Sequence, residues 1–368
     1  MSAKALFGLK RRVSAFLAIM VLAGCTPQGT SNVKGANRSP GSSSVTVMTF
    51  NVENLFNTTH DAGKDDYTYL PVSRKRTAEH VTRCNTIEVE LWRNDCLELD
   101  WSEEAVEFKL RQLGKTILQI NDGKGPDILA LQEVENIEIL TRLSQEYLQA
   151  AGYGKPILIE GQDLRGIDVA FLSRLPLATE PVLHAFDAPA FPDRIKDTRG
   201  VLEATFQLPG GGRLTGFCVH FPAPFHPIDM REVAYDHLNT LRSRVPADQP
   251  VFAAGDFNTP AREMTGTSIM DDRVRPYWTV AHEADCEGCL GTNYWSRGQT
   301  WSFLDMILFS ETEAENGWHI PKGGVFIADG YGDQLNPDGT VNRFNLENRR
   351  GVSDHLPLVM TLNRAKRN

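Results

Sequence analysis

Several familiar catalytic signatures are missing from this chain. It has no GxxxxGK[ST] loop to cradle a nucleotide phosphate, no HExxH helix to bind a hydrolytic zinc and no GxSxG elbow to present a serine nucleophile. P-loop, zincin-like and α/β-hydrolase chemistry are thereby set aside. Basic residues are also in short supply, at 38 Lys and Arg against 47 Asp and Glu, for a formal charge of −9. Residues 1–25 carry four of the basic residues and no acidic one, so the remainder stands at −13. Avid nonspecific binding to duplex DNA rests on a surplus of Lys and Arg, and this balance argues against it while leaving room for a local basic patch. No internal repeat is visible.

Cysteine is sparse, with six in 368 residues. Cys25 lies in "LAGC"; Cys84 and Cys96 share a polar stretch; Cys286 and Cys289 form a single CxxC; Cys218 sits in the apolar "LTGFCVHF". No second ligand pair near the CxxC suggests a structural zinc. In an oxidising compartment the four paired-looking cysteines allow three connectivities that sequence does not separate, and the local pairing, Cys84 with Cys96 and Cys286 with Cys289, is preferred. Cys218 is expected as a small buried apolar side chain.

The apolar run Val13–Leu22 is too short to span a bilayer, and Lys10, Arg11 and Arg12 precede it. A charged flank before a short apolar core marks an export signal. The run ends in "LAGC", which resembles the lipobox of bacterial lipoproteins; that resemblance implies lipidation of Cys25 and an anchor in the bacterial envelope. Thr26 rather than Asp at the next position points to the outer membrane. Residues 26–44 are rich in Ser, Gly and Pro and read as a flexible tether with a reach of roughly 25 Å. The expected organisation is a signal over 1–25, a linker over 26–44 and one domain over 45–368, monomeric and without an inferred protein partner.

Strand-length apolar runs recur from Val45: "VTVMTFNV", "PDILALQEV", "GIDVAFLS", "LTGFCVHF", "PVFAAGDFN", "FLDMILFS" and "HLPLVMTL". Helical stretches lie between several of them. In one, Val106, Leu110, Leu113, Ile117 and Ile120 recur at spacings of four and three, giving an amphipathic helix. Two others are "NIEILTRLSQEYLQAAGY" and "MREVAYDHLNTLRSRV". The interleaving predicts an α/β fold with covered sheet faces. Thr59–Asp100 and Glu311–Arg350 are polar, strand-poor insertions, expected as long surface loops with a little structure, the first stapled by a disulfide.

Polar residues cluster where the strands end. Asn51, Glu133, His220, Asp256 and Asn258 follow apolar runs, Asp305 interrupts one, and Asp354 and His355 precede one. Any one of these could serve a turn or a cap. Their coincidence at strand ends suggests a site, because α/β proteins gather chemistry there. Carboxylates and amides are hard oxygen ligands suited to Mg²⁺ or Mn²⁺, and two histidines offer proton transfer near neutrality. Without a covalent nucleophile, metal-assisted attack of water on a phosphate ester is the chemistry that uses this set, with the metal neutralising phosphate oxygens and an Asp–His pair activating the water.

"TFNVENLF", "LALQEVEN", "GIDVAFLSR", "GDFNTP", "WSFLDMILFS" and "GVSDHLPLVM" together resemble the endonuclease/exonuclease/phosphatase superfamily, in order and over about residues 45–360. The resemblance implies a four-layer α/β sandwich, two packed mixed β-sheets flanked by helices. It implies a Mg²⁺ site at Glu133, with Asn51 and Asp354 close to the metal. Asp256 and Asn258 would orient the attacking water and the scissile phosphate. His355 would be the essential histidine, hydrogen-bonded by Asp305, and His220 a second histidine of the deoxyribonuclease-like members. Arg165 and Arg199 are candidate phosphate-binding residues, weighed against ordinary surface arginines. A nuclease-like phosphodiesterase is the leading expectation. Sphingomyelinase-like or phosphomonoesterase activity is the alternative within the family, and a catalytically inactive binding lipoprotein is the alternative of another class.

Overall fold

The structure is a computed structural model, described here for residues 44–186, 191–192, 194, 198–310 and 317–365. The expected signal, Cys25 and the linker up to residue 43 lie outside the described residues. Ser44, the last linker residue expected, opens the first strand.

Eight strands carry the architecture: β1 (Ser44–Leu55), β2 (Ile128–Val134), β3 (Asp168–Ser173), β4 (Val201–Gln207), β5 (Arg213–His220), β6 (Val251–Asp256), β7 (Asp305–Ser310) and β8 (Leu358–Arg364). Seven of them fall on the seven apolar runs. In the first sheet β8, β1, β2 and β3 lie side by side, with β1 and β2 parallel and the other two pairings antiparallel. In the second, the order is β4, β5, β6, β7, again with a parallel central pair, β5 and β6. Short strands such as Ile157–Leu158, Val182–His184 and Val325–Ile327 extend the edges.

Alternation along each strand builds the layers, since successive side chains point to opposite faces. Val45, Val47, Ile128, Ala130, Val169 and Phe171 of the first sheet meet Leu214, Cys218, Phe252, Ala254, Ile307 and Phe309 of the second in one buried cluster. The opposite face of the first sheet, with Met48, Phe50, Leu129 and Leu131, packs on Val106, Leu110, Leu113 and Ile117. Those four lie on helix Glu103–Leu118, which carries the expected spacing. The outer face of the second sheet, with Phe217, Val219, Ala253 and Met306, packs on Tyr235 and Leu238 of helix Ile228–Arg242. This is the four-layer α/β sandwich, helix on sheet on sheet on helix. Each fully buried aliphatic side chain in these layers contributes about 1.5–3 kcal/mol relative to exposure.

One strand was not expected, and the two insertions carry short elements. The strand Val201–Gln207 was not among the apolar runs, because Glu203 and Thr205 dilute "VLEATFQ". The structure expected within the Thr59–Asp100 insertion is two helices, Ala78–Cys84 and Glu90–Glu98, tied by the expected Cys84–Cys96 disulfide. In the second insertion the described part, from residue 317, includes the short strands Trp318–His319 and Val325–Ile327, which pair with β8. Cys286 and Cys289 are also bonded, and Cys218 is free and buried, its thiol pushed up to about 12 by burial.

Candidate active site

The inward-facing rows of the two sheets end in polar residues. On β1 the row runs Val45, Val47, Thr49 and then Asn51; on β5 it reaches Cys218 and then His220; on β6 it runs Phe252, Ala254 and then Asp256; on β7 it begins at Asp305 and continues with Ile307 and Phe309. Pairing aligns three of the ends, since His220 is level with Asp256 and Asp256 with Asp305. A plug of smaller polar contacts lies just behind them: Thr49 Oγ1 donates to Gln132 Oε1 (3.2 Å), and Gln132 Nε2 donates to Cys218 Sγ (3.3 Å).

Glu133 breaks the alternation. By parity it belongs on the helix side of β2, opposite Gln132. Its φ of 65° and the register shift between Gln132 and Val134 turn it back towards Asn51. Asn51 Nδ2 donates to Glu133 Oε1 at 3.3 Å and to Asp256 Oδ2 at 3.0 Å, bridging the two sheets. Glu133 Oε2 accepts from the Asn54 backbone N–H at 2.9 Å. Glu53, Asn54 and Asn258 also have positive φ (51°, 58° and 50°). Left-handed backbone at non-glycine residues is uncommon, and four instances beside one cluster mark a locally imposed geometry.

The segment before β8 brings in the histidine. Ser353 Oγ donates to the Asn51 carbonyl at 2.7 Å, and the Leu356 N–H donates to the Thr292 carbonyl at 2.7 Å. His355 Nδ1 and Asp305 Oδ2 are 2.6 Å apart, with both side chains buried. Burial opposes charge on this imidazole, but the carboxylates of Asp305, Asp354 and Asp256 hold its pKa well above the usual histidine range. His220 goes the other way: burial, then the charges of Arg199, Arg165 and His355, press it well below that range. Its Nε2 lies 3.6 Å from Asp256 Oδ2 and 4.0 Å from Glu133 Oε1. Asp256 is pushed up to about 7 by burial and by Asp305, against the pull of His355. Its other oxygen, Oδ1, accepts from the Asn258 N–H at 2.8 Å, and Asn258 Nδ2 donates to the Phe221 carbonyl at 3.0 Å.

Asp354 lies on the outer side, 3.9 Å from His355 Nε2 and 3.6 Å from Arg343 NH2. Arg165 is exposed and donates to Asn54 Oδ1 at 2.8 Å. Arg199 is buried rather than on the surface, donating to Asp163 Oδ2 (3.0 Å) and to the Phe221 carbonyl (3.3 Å). Two residues escaped the sequence reading. Glu53, two positions after Asn51, is buried, and burial and Asp354 push it up to about 7. Arg343, deep in the second insertion, forms an ion pair with it. The acid of "NVEN", two positions after Asn51, was a signal for the first; nothing in "TVNRFN" singles out the second.

Asp256, Asp305 and His355 have ligand atoms within 4.8 Å of one another and are all buried. Among the described residues Asp305 Oδ1 is buried without a hydrogen-bond partner, so the cluster holds an unused hard-oxygen donor. With the Glu133, Asp354 and Asn51 oxygens beside it, the donor set fits a divalent cation of the Mg²⁺ or Mn²⁺ type. His80, Cys84 and Cys96 also converge, but both sulfurs are consumed by the disulfide.

A model of the Endonuclease/Exonuclease/phosphatase family matches residues 48–355. The chain belongs to this family. As a member it is a phosphoesterase hydrolase, in a family whose enzymes typically depend on divalent metal. No curated protein matches it significantly. Among solved structures, a functionally unknown conserved protein of Enterococcus faecalis is similar at TM-score 0.54 and 14% identity, over 87% of this chain and 100% of that one. Humanized D. rerio TDP2 is similar at TM-score 0.53 and 14% identity, over 88% and 100%. Mannosyl-6-phosphatase of Bacteroides thetaiotaomicron is similar at TM-score 0.52 and 15% identity, over 88% and 100%. At such identities the likeness is one of fold.

Proposed function

We propose that this family member hydrolyses a phosphodiester by direct attack of water, with a divalent cation of the Mg²⁺ or Mn²⁺ type held by Glu133, Asp354 and Asn51. When bound, the cation would neutralise phosphate oxygens and the charge that develops as the ester bond breaks. The observation that carries the reading is geometric: Asp256, Asp305 and His355 converge in one buried cluster, and Asn51 joins Asp256 to Glu133. His355, backed by Asp305, keeps its proton at neutral pH and offers a cation to the phosphoryl oxygens. Asp256, with its pKa about 7, is matched to accept a proton from the attacking water at that same pH. Asn258, seated on the Phe221 carbonyl, and neutral His220 fix the other side of the cleft. We also propose export and lipid anchoring through Cys25, which would hold the domain at an envelope surface.

A panel of bis(p-nitrophenyl) phosphate, p-nitrophenyl phosphate, plasmid DNA and sphingomyelin, assayed with Mg²⁺, tests the substrate class. Diester turnover that is absent in His355→Ala supports the proposal. Turnover of the monoester alone would move the reading to a phosphomonoesterase, and no turnover by well-folded protein would favour the inactive binding protein.

A further inference from the structure

Glu53 and Asn54, two consecutive left-handed residues at the end of β1, each hold an arginine from a different loop. Glu53, whose side chain is 8% exposed, pairs through Oε1 with Arg343 Nε. Asn54 Oδ1 accepts from Arg165 NH2 at 2.8 Å, while the Asn54 N–H holds Glu133. The two guanidinium groups are thus seated on adjacent residues at the metal end of the site. Both are open to solvent, the Arg343 side chain at 66%.

Arg343 is held for presentation rather than consumed. A guanidinium has five N–H donors. Among the described residues only its Nε–H is hydrogen-bonded, and NH2 stands 3.6 Å from Asp354 Oδ2, beyond hydrogen-bond reach. The segment that delivers it is fixed in several places. Lys109, fully buried, donates to the Val352 carbonyl at 2.8 Å, and Gln112 Nε2 donates to the Gly351 carbonyl at 3.2 Å. The Phe344 N–H donates to Glu53 Oε2 at 3.2 Å. Gly351 has φ 79°, and a Cβ there would come within 1.9 Å of the Arg343 carbonyl oxygen. An acidic chain has therefore built, from a polar insertion, a rigid seat for an exposed cation beside the site. Anchoring through Nε leaves the terminal nitrogens, the edge that binds phosphate or carboxylate oxygens, without a hydrogen bond among the described residues, NH2 facing the Asp354 carboxylate.

We propose that Arg343, together with Arg165, binds a second anionic group of the substrate, a phosphate flanking the scissile ester. The proposal rests on the phosphodiesterase reading and adds to it the substrate class: a diester with a neighbouring phosphate, as in a nucleic-acid strand or a phosphorylated polyol head group. Asp354 lies between His355 and Arg343, so the two cations meet different anionic groups of one substrate. A net negative protein gains most from such a local cation, because elsewhere its field repels polyanions.

The test compares KM and kcat for a 5′-phosphorylated dinucleotide and a polyol phosphodiester bearing a second phosphate, each against its counterpart lacking that phosphate. Loss of one charge-assisted contact predicts that Arg343→Gln raises KM for the two-phosphate substrates by about tenfold, with a much smaller change for the counterparts, and that Arg343→Lys recovers part of the loss. Whichever two-phosphate arm responds identifies the source of the flanking phosphate. Equal effects on substrates with and without the second phosphate, or no effect, would overturn the proposal. Calorimetric binding of pyrophosphate to the wild type and to Arg343→Gln reads the same contact without turnover. If no diester is hydrolysed, the phosphodiesterase reading fails. Weaker pyrophosphate binding by the variant would still support anion capture by Arg343, and equal binding would contradict it.

Discussion

Asn51 Nδ2 donates to Asp256 Oδ2 across the gap between the two sheets, at 3.0 Å, and to Glu133 Oε1 on its own sheet. One amide therefore sets both the carboxylate proposed to hold the metal and the one proposed to take the proton. The bond also lowers the Asp256 pKa against the burial that raises it to about 7. In the proposed mechanism Asp256 acts as a carboxylate, so activity should rise with pH through its pKa. Asn51→Ala removes the donor, raises that pKa further and moves the acidic limb of the kcat profile to higher pH. A pH–rate profile of the two proteins checks it, and an unmoved limb would contradict the role given to Asp256.

Asp305→Asn should act on the opposite limb. In the proposed mechanism His355 works protonated, and its pKa is raised chiefly by the Asp305 charge and hydrogen bond, against burial. Without the carboxylate the proton is lost at lower pH, so the alkaline limb shifts down and kcat at neutral pH falls by about a hundredfold or more. Circular dichroism should show the variant folded, since the substitution is close in shape.

Gly351 fixes the Arg343 segment through a conformation that side chains avoid. Gly351→Ala should cost about 2–4 kcal/mol, from the positive φ and the collision with the Arg343 carbonyl. Urea unfolding measures it, and a loss under about half a kcal/mol would show that the segment can relax.

His282 links stability to pH away from the site. Its ring stacks on Phe303 with centroids 3.8 Å apart, and burial presses its pKa from 6.5 to about 4. The folded state disfavours the protonated ring, so this contribution is present above pH 6.5 and is lost as pH falls towards 4, up to a limit of about 3 kcal/mol. His282→Phe should flatten the decline in the urea midpoint between pH 7 and 4.5.

Much of the sandwich is legible as alternation. Seven apolar runs become seven of the eight principal strands, and Asn51, His220, Asp256 and Asp305 can be placed by parity on inward-facing rows. Glu133 cannot, because its direction depends on a backbone reversal that period two does not encode. Arg199 looked like a surface residue because its burial depends on Asp163, 36 positions earlier. Arg343 depends on Glu53, 290 positions away, and no local pattern reports a pairing at that separation. The helices between Thr59 and Asp100 were hidden by polar composition: only Cys96 is buried in Glu90–Glu98, so little apolar periodicity is there to be read.

The central claim is that these strand-end residues form a metal-dependent phosphodiesterase site. Its most direct test is turnover of bis(p-nitrophenyl) phosphate as Mn²⁺ or Mg²⁺ is added back to chelator-treated protein, for the wild type and Glu133→Gln. The account predicts no turnover in chelator, full recovery with metal, and about tenfold or more metal needed by Glu133→Gln. Undiminished turnover in chelator, or identical metal dependence in the two proteins, would contradict it.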